Sequence, residues 1–325
     1  MTAPINMLQA GFGFDGVRYA REIAFGPGLA REWFTLISTA ISRGPTRLFE
    51  NRPNTVFDQI VSGTDIRLEE YRAIGRLMAL SIIEGNPLGL NLHTSFYKLL
   101  LRQPIRFEDL RGLLDDISYR SIEHCMDPSR TEEDLAALMQ PLPESGSTED
   151  VTLANRHAQL EAVIANVPVN HSPQQFALLL AGFNEVIPHN LLTDWSPEGI
   201  ASLIRGNGDI DIDDLERNMQ IGYGYTGSSD EVRWLLTVLR EYDQPMRRAF
   251  QRFVTGSSIV PSGGFAESPL RFDRTMRTNP RGDVVLPTTH TCFRSIDLPQ
   301  YQSLDELRRM VTIAVEADAG GEMQG

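Results

Sequence analysis

The sequence predicts an α+β chain in two units, a mainly helical N-terminal unit and a smaller α/β C-terminal unit. Three observations carry this. Apolar residues recur at helical spacing through most of the chain up to Arg205. Beyond that point helices alternate with several short β-like runs. Between the two lies Gly206-Asn207-Gly208-Asp209, a short polar stretch whose glycines permit the backbone changes that a hinge needs. The length of 325 residues fits about two domains of roughly 150 residues each.

Taken in order, residues 17–25 alternate apolar (Val17, Tyr19, Ile23, Phe25) with polar or small positions and read as a strand. Leu29, Trp33, Phe34, Ile37 and Ile41 share one helical face. So do Tyr71, Ile74, Leu77, Met78 and Ile82, in a long helix after Asp65. Residues 126–152 are rich in Asp, Glu, Pro, Ser and Thr and read as loop or poorly ordered. Ser172-Pro173-Gln174-Gln175 then has the form of a helix start, with a capping serine and proline at the first helical position. Phe176, Leu179, Leu180 and Phe183 follow on one face, and Ser196-Pro197-Glu198 opens another helix. Past the glycines, Ser228-x-x-Glu231 is a capping-box pattern ahead of Val232, Leu235, Leu236 and Leu239. A further helix follows Pro245, with Met246, Phe250 and Phe253 inward. Short β-like runs lead up to Val284-Val285-Leu286. Ser303-x-x-Glu306 caps a last helix that turns Leu304, Leu307, Met310, Val311 and Ala314 inward.

Composition excludes several classes. The formal net charge of -13 argues against nucleic-acid binding and fits solubility and basic partner surfaces. No run of 18 apolar residues suggests a membrane span. Two cysteines cannot build a disulfide framework, and no charged region followed by an apolar stretch marks a secretory signal. Both fit a reducing compartment, cytoplasmic or nuclear. No Cys/His cluster has zinc-ligand spacing, so no metal is expected, and no P-loop pattern is present. The basic residues are lopsided, with one lysine, Lys98, against 29 arginines.

One of the two cysteines stands out by its surroundings. Cys292 lies in Leu286-Pro287-Thr288-Thr289-His290-Thr291-Cys292-Phe293. In an extended segment residues two apart face the same way, so His290 and Cys292 would share a face. A free thiol is only slightly ionised at neutral pH, and an imidazole beside it favours the nucleophilic thiolate. A lone cysteine is more often a small buried apolar residue than a nucleophile, and Cys125 reads as the former.

The octapeptide resembles the active-site motif of HECT-type ubiquitin ligases, written L-P-x-[SA]-H-T-C-F. Leu298-Pro299-Gln300-Tyr301-Gln302-Ser303 is similar to the family's L-P-x-Y-x-S, and Phe253-Val254-Thr255-Gly256-Ser257-Ser258 to its F-V-T-G-S. Pro261-Ser262-Gly263-Gly264-Phe265-Ala266 is similar to P-x-G-G-F. Gly182 to Pro188, Phe96 to Leu100, Tyr71 to Arg76 and Gly28 to Phe34 also match, all in family order. The resemblance implies a bilobal HECT-like fold, with an N-lobe over 1–205, a flexible hinge over 206–210 (Gly206, Asn207, Gly208) and a C-lobe over 211–325. It implies that Cys292 takes ubiquitin as a glycyl thioester from a ubiquitin-conjugating enzyme and passes it to lysines of a protein substrate. No cofactor is needed, since the thioester arrives activated. His290 would raise the thiolate fraction or orient the loop, Thr291 would hydrogen-bond near the thioester carbonyl, and Phe293 would anchor the loop from the core. The donor enzyme would bind a small subdomain at roughly 105–165, in an apolar groove offered by Ile122, Cys125 and Met126, residues that serve equally as plain core.

The chain departs from the family pattern in four places. The segment between Met126 and Val151 is short and lacks a strand-rich apolar stretch. Gln159 and Val163 align where the family tends to place aromatics. Arg294 follows C-F where the family usually has asparagine, and Glu322 stands where the family usually has a phenylalanine, fourth from its end, which implies a loose tail. The chain also starts late in the family pattern, as a fragment or minimal member would. Two rival readings follow: an inactive HECT-like scaffold that binds ubiquitin or the donor enzyme, and a cysteine hydrolase with Asp297 orienting His290.

Overall fold

The computed structural model describes residues 18–19, 22–23, 27–43, 48–51, 57–61, 68–276 and 285–320. By contact these fall into two compact units. One comprises the described residues of 39–83 and 90–204, the other those up to 38, 84–89 and from 205 onward.

The expected strand at 17–25 is two short antiparallel strands, β1 (Arg18–Tyr19) and β2 (Glu22–Ile23), with Tyr19 opposite Glu22. Val17, Phe25 and residues 20–21 of the expected run lie outside the described residues. A helix then covers Pro27–Arg43 and buries Trp33, Phe34, Ile37 and Ile41, as its spacing requires.

The first unit is built on two helices, Leu68–Ile83 and Pro173–Val186. They approach backbone to backbone. A Cβ on Gly75 would meet the Leu179 carbonyl oxygen at 1.9 Å, and one on Gly182 would meet that of Arg72 at 1.9 Å. Tyr71, Ile74, Leu77, Met78, Leu179 and Phe183 are fully buried around this crossing. Ile82 is only partly buried. Strands β3 (Phe49–Asn51) and β4 (Asp58–Ile60) pair antiparallel. Ser172 does not cap the second helix; its hydroxyl donates to the Asn170 carbonyl at 3.1 Å. Ser196 does cap the helix Pro197–Arg205, accepting from the Gly199 amide at 3.0 Å.

A smaller core in this unit gathers Leu110, Tyr119, Ile122, Cys125, Leu135, Leu142, Val151 and Val163. The stretch 126–152, expected to be irregular, contains a helix at Glu132–Ala136. Thr131 accepts from the Asp134 amide, and Asp134 reaches back to the Thr131 amide, closing a capping box. Leu135, Leu142 and Val151 anchor the segment at 0%, 2% and 1% exposure. Buried Gln159 holds it from the side, accepting from the Leu142 amide at 2.7 Å and donating to the Glu149 carbonyl at 3.1 Å. An amide at this position therefore satisfies a polar loop that an aromatic ring could not.

The second unit carries a four-stranded sheet. Its strands are β5 (Gln220–Ile221), β6 (Arg271–Thr275), β7 (Thr288–His290) and β8 (Ser295–Pro299), in the order β5-β6-β8-β7. β5, β6 and β8 run parallel, and β7 is antiparallel to β8. Phe272, Ile296 and Leu298 enter one core with Leu235, Leu239, Phe250, Leu307 and Val311 from the helices Asp230–Glu241, Gln244–Thr255 and Leu304–Gly320. The expected capping box at Ser228 does not form. The helix starts at Asp230, while the Ser229 hydroxyl accepts from the Thr226 amide at 2.9 Å. Ser303 does cap the last helix, accepting from Glu306 at 3.2 Å. The β-like run expected at Val284-Val285-Leu286 ends before the strand: β7 begins at Thr288, Leu286 is 38% exposed, and Val284 lies outside the described residues. The tail residue Glu322 also lies outside them.

Candidate active site

β7 and β8 form a hairpin with His290 opposite Ser295, so residues 291–294 make its tip. Thr291–Phe293 take a 3-10 turn, and Arg294 closes it in the left-handed region at φ 52°. The tip thus carries Cys292, which is partly exposed. Sequence signals alone would have put His290 and Cys292 in one extended segment. The turn breaks that alternation. His290 ends the strand, and its Nε2 hydrogen-bonds Asp297 Oδ2 at 3.2 Å, not Cys292. That pairing follows from the register: Asp297 lies two positions past Ser295 on the same sheet face. In the neutral imidazole, a proton on Nε2 toward Asp297 leaves Nδ1 as acceptor.

Phe293 is not a core anchor. It is 78% exposed, because the hairpin tip lifts it off the sheet. The anchoring falls to the Thr291 carbonyl. It accepts from the Arg294 amide at 3.3 Å and from the guanidinium of Arg31, which reaches in from the helix Pro27–Arg43. Arg31 was missed as a site residue. Its only signal was membership of the Gly28–Phe34 segment, whose role spacing does not reveal. Arg294 is half-buried; burial pulls its pKa down, opposed by the charge of Glu267.

The other candidate residues sit elsewhere. Ile122 and Cys125 are 0% and 2% exposed inside the small core, and Met126, partly buried, packs against it. Burial pushes the Cys125 thiol up, against the charges of Arg156 and Arg130, so it is poorly suited to nucleophilic work. At Gly206 the backbone is left-handed at φ 64°, and a Cβ would meet Ile259 at 2.6 Å and Pro87 at 2.7 Å. Asn207 exchanges two backbone hydrogen bonds with Val260, at 2.7 and 3.1 Å. Gly208 is open, with no atom within 4 Å of an added Cβ. Among the described residues no three His, Cys, Asp or Glu side chains gather to hold a metal ion.

Fold and turn together define a class: an α+β protein that presents one accessible thiol at the tip of a hairpin, fastened through the backbone beside it. The sequence profile of the HECT-domain (ubiquitin-transferase) family matches residues 35–324, and the chain belongs to that family. Among its curated relatives, the E3 ubiquitin-protein ligase RSP5 of Chaetomium thermophilum is 29% identical over 330 residues, covering 95% of this chain and 39% of that protein. The human E3 ubiquitin-protein ligase NEDD4 is 30% identical over 327 residues, covering 94% and 24%. The mouse E3 ubiquitin-protein ligase HUWE1 is 28% identical over 317 residues, covering 90% and 7%. The chain thus spans well under half the length of these relatives.

Proposed function

We propose that this chain is a ubiquitin-protein ligase that works through a thioester on Cys292. One observation carries the reading: a chain of this family presents its cysteine at an accessible hairpin tip, in an octapeptide that resembles the family's motif at every fixed position but Thr289. In the first step the Cys292 thiolate attacks the carbonyl of the thioester between ubiquitin's C-terminus and a conjugating enzyme. The new thioester forms on Cys292 and the donor's thiolate leaves. In the second, a substrate lysine amine attacks that carbonyl, loses a proton as the isopeptide forms, and Cys292 departs as thiolate. Ubiquitin, a conjugating enzyme and a protein substrate are the partners this requires. The proposed division of labour is an N-lobe over 1–205, with a donor-binding subdomain near 105–165, and a C-lobe over 211–325; by contact the described residues up to 38 and 84–89 group with the C-terminal unit. Of the hinge glycines, Gly208 has room for a Cβ, while its carbonyl accepts from Arg248 at 3.3 Å. No helix among the described residues is long and apolar enough to cross a membrane.

The test is direct. Incubated with activating enzyme, a panel of conjugating enzymes and ubiquitin, the chain should form an adduct that reducing agent removes. The adduct should vanish in Cys292→Ala and persist in Cys125→Ala. An adduct unchanged by Cys292→Ala would refute the assignment.

A further inference from the structure

A buried cation lies against the turn that carries Cys292, and the transfer chemistry above does not use it. Arg31 is 7% exposed. Its Nε donates to the Thr255 carbonyl at 3.1 Å, and its Nη2 donates to the Thr291 carbonyl. Thr255 is the last residue of the helix Gln244–Thr255, where carbonyls lack intrahelical partners and the helix dipole is negative. Thr291 immediately precedes Cys292. One planar guanidinium, with donors in a fixed fork, therefore bridges a helix C-terminus and the catalytic turn. Thr35, four residues along the same helix, fastens the adjoining Gly256 carbonyl at 3.0 Å.

Electrostatics point the same way. Burial, then the like charge of Arg294, draw the Arg31 pKa down to about 10, while the charge of Cys292 acts in the opposite sense. Arg31 remains a cation at neutral pH, and the carbonyl it holds belongs to the residue just before Cys292.

We infer that Arg31 is a positioning residue for the reaction at Cys292: it fixes the Thr291 carbonyl and sets one buried positive charge beside the sulfur. The inference rests on reading Cys292 as the ubiquitin acceptor. A side chain that merely fastened one helix to another would hold the fold together without imposing a charge preference on reagents that reach Cys292.

Alkylation separates these roles. Iodoacetate and iodoacetamide differ in charge and little in size, and peptide mapping reads their rates at Cys292 alone. In the intact chain the iodoacetate-to-iodoacetamide rate ratio should exceed that of a synthetic peptide of residues 286–297. In Arg31→Gln the ratio should fall about threefold, and in Arg31→Lys, which keeps the charge, it should stay near the starting value. Ubiquitin loading should slow about tenfold in Arg31→Gln and recover in part in Arg31→Lys, since a misplaced nucleophile loses rate steeply. Circular dichroism checks that each variant is folded. An unchanged ratio in folded Arg31→Gln overturns the inference. So does an intact-chain ratio no higher than the peptide's, a comparison that needs no variant. An intact chain that shows the charge preference yet forms no ubiquitin adduct overturns the transfer reading, and with it the part of Arg31 in loading, and leaves only its charge effect at Cys292.

Discussion

Arg294 holds a backbone conformation that its side chain does not favour. Left-handed φ costs an ordinary L-residue about 1–2 kcal/mol, and asparagine tolerates it better. The tip of the β7–β8 hairpin needs that conformation at φ 52°, which gives a physical reason why asparagine suits the position after C-F. Here an arginine fills it, and its charge also opposes that of Arg31. Arg294→Asn should therefore stabilise the chain by about 0.5–1 kcal/mol, read as a higher urea midpoint. A lower midpoint would mean that the arginine's own contacts outweigh the backbone strain. The wording around Cys292 was sufficient to single it out. The partner of His290 was not legible, because it depends on which residue of β8 stands opposite, and register is a long-range property.

The glycines of two recognised segments acquire a reason once their helices are seen together. Gly75 and Gly182 each face a carbonyl oxygen of the other helix, 1.9 Å from where a Cβ would sit. Backbone cannot yield as a flexible side chain can, so Gly182→Ala must push the helices Leu68–Ile83 and Pro173–Val186 apart. The expected loss is about 3 kcal/mol. Urea titration followed by circular dichroism measures it, and an unchanged midpoint would show that the crossing is looser than described. Arg72 and Arg76 both reach Glu185 across the same crossing, and the Arg72 hydrogen bond foremost holds that carboxyl below its ordinary range.

The small core has its own dependence on pH. Asp115, Asp127 and Asp134 sit below the usual carboxylate range, chiefly through backbone amides of Ser118, Ser129 and Thr131. At Asp109 burial pushes upward, but hydrogen bonds from Lys98 and the Arg106 amide outweigh it and bring it down too. A folded pKa below the unfolded value, near ~3.9 for Asp, gives stability that is present above that value and lost as pH falls through the folded one. Hydrogen exchange at Asp116–Met126 and Glu132–Ala136 should accelerate beyond its intrinsic rate below about pH 4. The Asp115→Asn/Asp134→Asn pair should blunt that change, because asparagine caps helices without titrating. An identical acid response in the pair would assign it to other groups.

For the molecule as a whole, the lysine count has a consequence for self-modification. A ligase's own amines lie at high effective concentration around its loaded cysteine, and arginine cannot serve as acceptor. The chain offers Lys98 and its N-terminal amine. Lys98 is also tied to Asp109 at 2.7 Å and only 24% exposed, so it must leave that pair to react. Mass spectrometry after prolonged reaction should find amide-linked ubiquitin on the Lys98 side chain, on the N-terminal amine or nowhere. Lys98→Arg with a blocked N-terminus should nearly abolish thiol-resistant adducts. Abundant thiol-resistant adducts surviving both changes would show that hydroxyl acceptors dominate.

Helices with a clear apolar face, such as Leu68–Ile83 and Asp230–Glu241, follow from spacing alone, since burial at i, i+3 and i+4 is decided within one turn. The same holds for the Ser196 and Ser303 caps, whose partners lie three residues away. Even the capping box of Thr131 and Asp134 was there to be read within a segment whose composition suggested disorder. Other features had no local trace. Cys125 and Cys292 are the same side chain, and only packing buries one in a core and lifts the other onto a turn. Phe293 is apolar yet exposed because a hairpin tip has no interior. Gln159 serves a loop 17 positions back, and Arg31 serves a carbonyl 260 positions on. Side-chain periodicity and capping are fixed by neighbours in the chain. Register, burial and the partners of a guanidinium are fixed by neighbours in space, which exist only after the chain has folded.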